Sequence, residues 1–363
     1  MKPFLPEYLP LPQTSFDYSV FLNELLEATS QLAVYREKIA DSKLDSSWFL
    51  PTLQQKEALA STRLEGTQAT LDGILLNQID PKDDDMNLNE VTNYFRASAI
   101  GLELLRHGGF STELFCQLHR ILFTGNVRRR EKSKIGEYRT KQNYIGLTGD
   151  THAITYTPPA ERYVPKLMDN LIAYLNAPND TLQPLVRTAV VHAQMETIHP
   201  FDDGNGRIGR ILIPLYLYQQ EQITLPCFFI SEALESDKFK YYSLLNGTRS
   251  KGDWNSWIKF FLETVAKQCK KYIYIVSKIN QLYDFHLERT KELINSSNVG
   301  TIVDVIYRHP VLDAETVVKE TNLSLATTNR FLNLLVKSNI LYTDGKKRNR
   351  KFYCYDLLAL LRV

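Results

Sequence analysis

A histidine, two carboxylates, two glycines around an asparagine and two arginines stand within residues 199–210, HPFDDGNGRIGR. A packed core has no use for that set. An anion would be served by it, and so would a reaction in which a hydroxyl gives up its proton. His199 precedes Pro200, which biases its backbone out of the α region and should end the preceding helix near Ile198. Gly204 and Gly206 flank Asn205 where the next helix opens. Glycines there permit positive φ and let backbone N–H groups converge. The positive end of the helix dipole lies at the same point, and phosphate is its natural occupant. Arg207 and Arg210 are three apart, hence on one helix face, and guanidinium forks match phosphate oxygens. Asp203 lies beside this cradle, and Mg2+ needs only one or two protein carboxylates when phosphate and water supply the rest. An imidazole titrates near neutrality, so His199 can accept a proton from an incoming hydroxyl. The sum is a phosphoryl- or nucleotidyl-transfer site.

Taken singly, a pre-proline histidine, a Gly-Asn-Gly turn and a pair of helix arginines are ordinary features; their conjunction is not. Competing chemistries fare badly. Glu196 and His199 form one E-x-x-H, but a di-iron site needs two such pairs and further carboxylates. H-E-x-x-H and the P-loop pattern G-x-x-x-x-G-K-S/T are both absent from the sequence.

HPFDDGNGRIGR resembles, at every fixed position, the Fic family motif H-x-F-x-D/E-G-N-G-R-x-x-R. IGEYRTKQNYIG (135–146), the hairpin pattern after it and TPPAERYVPKLMDNL are similar to the Fic flap region, and the likeness covers most of residues 1–290. The resemblance implies a mainly α fold, a helical core with a short β-hairpin flap. It also implies transfer of AMP from ATP to a Tyr, Thr or Ser hydroxyl of a target protein, or of the chain itself, with release of pyrophosphate. His199 would then be the base, Asp203 would hold Mg2+, and Gly204, Asn205, Gly206 and Arg207 would cradle the phosphates. Gly209 belongs with the nucleotide-binding positions, Arg210 would take the γ-phosphate, Phe201 would anchor the turn, and Tyr242 would line the nucleotide pocket. STRLEG (61–66) is similar to a second family pattern, S/T-x-x-x-E-G/N, whose glutamate pairs with the last arginine of the motif. Arg210 can serve a γ-phosphate or the Glu65 carboxylate, not both, so Glu65 is expected to inhibit. An extended target segment would add to the flap edge by main-chain pairing at Tyr144, Ile145, Gly146 and Ile154.

The elements that must position these groups are mostly helical. The expected organisation is an N-terminal helical region 1–88 carrying the inhibitory helix at about 52–66, begun by Pro51 and closed by Gly66. A catalytic core follows over 89–262, with a flap hairpin at about 143–157 turning at Gly149-Asp150, then a helical connector 263–295. Residues 296–363 read as helix, helix, helix and a two-stranded wing, the winged-helix order. From Ile294 to Val363 there are ten Lys/Arg against six Asp/Glu, and five of the cations stand in GKKRNRK (345–351). Thr327 and Arg330 on the third helix and Lys346, Lys347 and Arg348 at the wing tip are the expected DNA contacts. Protein docking is an equally open use of such a module, and a homodimer is open too.

Bulk composition bounds the rest. At 363 residues, 44% hydrophobic and 23% charged, the chain affords two or three domains with sizeable cores. A net charge of +2 argues against a polybasic coat. The apolar run ILIPLYLY (211–218) is far short of the roughly 20 residues a spanning helix needs, so no membrane partner is expected. The proline-broken start lacks a secretory h-region, and four scattered cysteines without a C-x-x-C suit reduced thiols in the cytoplasm. Besides an adenylyltransferase, two readings stay open. One is a Fic-fold transferase using another nucleotide or removing AMP. The other is a DNA-binding regulator with a nucleotide-sensing core. Intact His199 and Arg210 favour the first.

Overall fold

Capping residues and prolines set the helix limits. The computed structural model describes residues 2–41, 46–80, 85–129, 134–146, 154–177, 181–225, 227–346 and 349–362. After a proline-rich extended start come α1 (Leu22–Ala40) and α2 (Ser46–Leu64). The expected start of α2 at Pro51 gives way to Ser46; Pro51 lies inside the helix, where it forfeits one intrahelical bond. The end of α2 is sharp. Thr67 N–H donates to Thr62 O at 3.1 Å and Gly66 N–H to Arg63 O at 2.9 Å, a Schellman pair. Gly66 takes φ +94, which a side chain would resist.

Next are α3 (Leu71–Ile79), α4 (Met86–Gly108) and α5 (Thr112–Leu122), whose first turns are capped by the side chains of Thr70, Asp85 and Ser111. Strands β1 (Ile145–Gly146) and β2 (Ile154–Tyr156) pair antiparallel, Ile145 opposite Tyr156 and Gly146 opposite Ile154. The expected turn at Gly149-Asp150 lies outside the described residues. Helices α6 (Val164–Asn176), α7 (Pro184–Ile198), α8 (Asn205–Gln219), α9 (Ser231–Ser236), α10 (Lys238–Lys251) and α11 (Trp254–Leu293) follow. Every side chain from Leu185 to Ile198 is buried, as is nearly all of α8, so these two helices form the centre of the core rather than an amphipathic shell. Trp257 closes it from α11, its indole N–H donating to Ala189 O at 2.9 Å.

The C-terminal elements are α12 (Val299–Arg308), β3 (Val311–Leu312), α13 (Ala314–Thr321), α14 (Leu325–Lys337), β4 (Tyr342–Thr343), β5 (Phe352–Tyr353) and α15 (Tyr355–Arg362). The strands form an antiparallel sheet in the order β3-β5-β4. Strand β3 and helix α15 are additions to the three helices and two strands expected from the sequence. Asp313 caps α13 and Ser324 caps α14.

The chain divides into two compact units, one of residues 1–33, 57–68 and 84–269, the other of 34–56, 69–83 and 270–363. The first holds the motif and also the second half of α2. The second holds the three-stranded sheet, with Arg362 of α15 paired to Asp72 of α3 at 2.7 Å. The four cysteines are buried. Among the described residues no helix is long and apolar enough to cross a membrane.

Candidate active site

The site is the turn between α7 and α8. His199 ends α7 in a left-handed conformation, φ 51 and ψ 60, with its N–H still donating to Met195 O at 3.0 Å. A non-glycine residue held there needs outside support. Arg139, buried, supplies it: Nε donates to His199 O at 2.9 Å, Nη2 to Pro159 O at 2.6 Å and Nη1 to Lys141 O at 3.1 Å, while its own N–H donates to Pro200 O at 2.8 Å. Asn143 Nδ2 donates to Phe201 O at 2.9 Å. Asn205 turns inward: its Oδ1 accepts from Phe201 N–H at 2.8 Å and its Nδ2 donates to Phe201 O at 2.9 Å. The Asn205 side chain thus braces the turn, leaving its backbone at the helix opening.

Phe201 is fully buried and stacks on the His119 ring, centroids 4.3 Å apart and planes 12° off parallel. His119 Nδ1 accepts from Gly136 N–H at 2.8 Å, so the ring hydrogen sits on Nε2, 3.2 Å from Asp203 O. Burial drops the His119 pKa to about 4, keeping the imidazole neutral in that bridging role. Sequence reasoning missed Arg139, Asn143 and His119. Arg139 and Asn143 lie inside the flap-like stretch 135–146, but which turn they grip is not written in it.

The glycines mark where an anion fits. Gly204 caps α8 with φ +76. A Cβ on Gly206 would lie 2.6 Å from Glu65 Oε1 and 2.9 Å from Arg210 Nη1, so a side chain there would have to displace the ends of that pair. Gly209 faces elsewhere. A Cβ there would meet Glu196 Oε1 at 2.3 Å, so this glycine admits the Glu196 carboxylate against α8. Asp203 Oδ1 accepts from Gly204 N–H at 2.7 Å and lies 3.9 Å from Arg207 Nη2, and its side chain is 31% exposed. Arg207 is buried with its guanidinium 4.8 Å above the Phe123 ring, and its Nε has no hydrogen-bond partner among the described residues. Among the described residues no group of three or more His, Cys, Asp or Glu that could hold a metal ion is found, and Asp203 is a carboxylate of the kind Mg2+ accepts beside a phosphate.

Arg210 is committed to α2. Its Nη2 donates to Glu65 Oε1 at 2.6 Å and to Ser61 O at 3.0 Å, and its Nε to Ser61 Oγ at 2.7 Å. Nη1 is buried with no partner among the described residues. The Arg210 side chain is 1% exposed and that of Glu65 38%. Burial opposes both charges. Against it, the Arg210 charge and hydrogen bond hold the Glu65 carboxyl below its usual range, and the Glu65 charge holds Arg210 above its own.

Tyr241 is buried and bonds through its hydroxyl to His192 Nε2 at 2.9 Å, whose Nδ1 faces Gly209 O at 2.9 Å. Tyr242 is therefore the outward tyrosine of the pair, 40% exposed, with Lys238 Nζ 5.9 Å from its ring centre. Burial and then the Glu65 charge raise its phenol.

Glu196 lies buried behind Arg210, with Oε1 lacking a hydrogen-bond partner among the described residues. Burial above all pushes its carboxyl up from 4.5 to about 7; Arg210 opposes the shift and Glu65 adds to it. An acid raised in the folded state stabilises the fold below its unfolded pKa and loses that contribution as pH rises through the folded one. The window for Glu196 is thus 4.5 to about 7, with up to about 3 kcal/mol at stake. Glu196→Gln is expected to raise the melting temperature at about pH 8 and to change it little at about pH 4.5. Thermal scans of both proteins across that range check this, and parallel curves would refute it.

The remaining expected site residues lie in two places. Tyr144 is 52% exposed just before β1, Ile145 and Gly146 form β1, and Ile154 opens β2. Thr327 and Arg330 lie on α14, with Arg330 exposed, and Lys346 follows β4 in an ion pair with Asp344 at 3.7 Å. Lys347 and Arg348 lie outside the described residues. Thr327, Arg330 and Lys346 belong to the second unit.

Known proteins are similar to this chain in sequence and in fold. The Fic/DOC family model matches residues 109–217, and the Fic/DOC family N-terminal model matches residues 22–103. Protein adenylyltransferase fic-1 of Caenorhabditis elegans is 25% identical over 170 residues, 46% of this chain and 29% of that protein. Protein adenylyltransferase Fic of Drosophila melanogaster is 26% identical over 233 residues, 63% of this chain and 40% of that protein. The chain therefore spans well under half the length of these curated relatives. In fold, the chain is similar to the crystal structure of a Fic family protein from Desulfovibrio desulfuricans G20, with a TM-score of 0.58, 18% identity and coverage of 97% and 98% of the two chains. Residues 134–508 of C. elegans Fic-1 give a TM-score of 0.53 at 19% identity, over 70% and 73% of the two chains. The chain thus carries a Fic/DOC family domain at residues 109–217, preceded by the family's N-terminal region at residues 22–103.

Proposed function

We propose that the chain is a protein adenylyltransferase, using ATP to place AMP on a hydroxyl of a target protein and of itself, and that Glu65 holds it in check. One observation carries the reading. Two buried guanidinium groups stand in the first turns of α8, and each keeps a buried nitrogen with no partner among the described residues. Buried cationic donors without partners are costly, and an anion at the helix opening satisfies them.

In this reading the N–H groups that open α8 and Arg207 bind the triphosphate, and Arg210 turns from Glu65 to its γ end. Mg2+ held by Asp203 would neutralise phosphate charge when bound. Tyr242 lines the nucleotide side. His199 takes the hydroxyl proton as the hydroxyl oxygen forms its bond to the α-phosphorus and the bond to pyrophosphate breaks. Arg139, Asn143 and Asn205 hold the backbone of the turn that carries the imidazole, which is a matter of orientation rather than of charge.

The target's backbone pairs along β1. Each flap strand has one neighbour among the described residues, so a third strand has an edge to join. Ile145→Pro disturbs the main-chain pairing of β1 and is expected to lower labelling of a target roughly five- to tenfold, with ATP affinity unchanged. Equal labelling would count against strand addition. The test of the function itself is intact mass spectrometry after incubation with Mg2+ and ATP. A gain of one AMP with pyrophosphate in solution supports it; no gain, even with Glu65 replaced by glycine, rejects it.

A further inference from the structure

Helix α2 sets Glu57, Ser61 and Glu65 four residues apart, hence on one face. The last two meet Arg210. Glu57, two turns back, is buried and does something different. Its Oε2 accepts from Ser231 N–H at 3.0 Å, and its Oε1 accepts from Tyr94 O–H at 3.0 Å and from the Ser231 hydroxyl. One carboxylate thereby joins α2 to α4 and to the first residue of α9. A buried carboxylate met by neutral donors is an expensive way to fill space, because an apolar side chain would do so without the desolvation cost. What it supplies is position.

We infer that Glu57 is the positioning residue of the inhibitory contact: by pinning α2 to Ser231 and Tyr94 it fixes the axial register in which Ser61 and Glu65 reach Arg210. This rests on the reading of Glu65 given above. The register matters because one residue of slip along a helix is about 1.5 Å. A 2.6 Å hydrogen bond lengthened by that much is no longer one. Lys238 Nζ, which donates to Leu64 O at 2.6 Å, and Arg128 Nη1, which donates to Gly66 O at 3.0 Å, hold the far end of the helix. Both grip backbone carbonyls beside Glu65. Glu57 is the side chain of this helix face that ties it down two turns away.

The test compares Mg-ATP affinity by calorimetry and self-labelling by intact mass in the parent, Glu57→Ala, Glu57→Gln, Glu65→Gly and the double variant Glu57→Ala/Glu65→Gly. Glu57→Ala is expected to tighten ATP binding and raise labelling about three- to tenfold. In the double variant it should add nothing to Glu65→Gly. Glu57→Gln keeps an acceptor for the Ser231 amide and is expected to stay near the parent. A merely structural loss would lower affinity in both backgrounds. If Glu57→Ala does not fold, Tyr94→Phe with Ser231→Ala strips both hydroxyl donors, keeps the main-chain bond and the shape, and is expected to shift affinity and labelling in the same direction by less. Parental affinity in the Glu57 variant beside a tightened Glu65→Gly overturns the inference and leaves the inhibitory contact standing. Parental affinity in Glu65→Gly itself overturns both.

Discussion

Replacing Glu65 by glycine is expected to raise self-labelling by ATP roughly 10- to 100-fold. With Arg210 Nη2 lying 2.6 Å from Glu65 Oε1, the carboxylate would compete with a γ-phosphate for the same guanidinium. A charge-assisted hydrogen bond contributes about 1.5–3 kcal/mol, which is about ten- to a hundredfold in an equilibrium. The 38% exposure of the Glu65 side chain screens the pair and favours the lower part of that range. The substitution spares the helix end, because the Schellman bonds of Gly66 and Thr67 are made by backbone groups. The measurement is the rate of AMP incorporation at subsaturating ATP. Equal rates in parent and variant would remove Glu65 from the account.

Removal of the His199 imidazole is expected to act in the opposite direction and further, lowering labelling by about 10^2- to 10^4-fold in the Glu65→Gly background. ATP affinity should hold, because in the proposed reaction the imidazole serves the acceptor hydroxyl and not the triphosphate. The choice of replacement matters. The backbone at His199 is left-handed, and asparagine tolerates that conformation better than alanine does. His199→Asn therefore isolates the loss of the base, while His199→Ala adds backbone strain. The turn should survive either change, since Arg139 and Asn205 grip the backbone of His199 and Phe201 and not the ring. Single-turnover labelling with a parallel binding titration separates the two effects. Labelling retained without the imidazole would transfer the base role elsewhere.

Local chemistry made much of this site legible. A pre-proline histidine ends α7 at Ile198 and two glycines open α8 at Asn205, the limits that the motif led one to expect. Glu65 lies on Arg210, the pairing that the resemblance implied. The partners that hold the turn were not legible because they are remote in sequence: Arg139 is 60 residues from His199, and His119 is 84 from Asp203. Nothing in a helical pattern says that a buried histidine will stack on Phe201 or that Glu57 will find Ser231. Asn205 shows the same limit from another side. Its motif position suggested a phosphate ligand, while its side chain closes onto Phe201. Glu196 was weighed as half of a metal motif, and its buried, raised carboxyl behind Arg210 came only with the packing of α7 on α8.

The most direct measurement is a crystal structure of the Glu65→Gly protein with Mg2+ and a non-hydrolysable ATP analogue. The expected result places the phosphates against the amides of Gly204–Gly206 and the guanidinium groups of Arg207 and Arg210, with the His199 ring facing the α-phosphate. Nucleotide bound elsewhere, with Arg210 still turned to Ser61 and the first turn of α8 bare, would contradict the account.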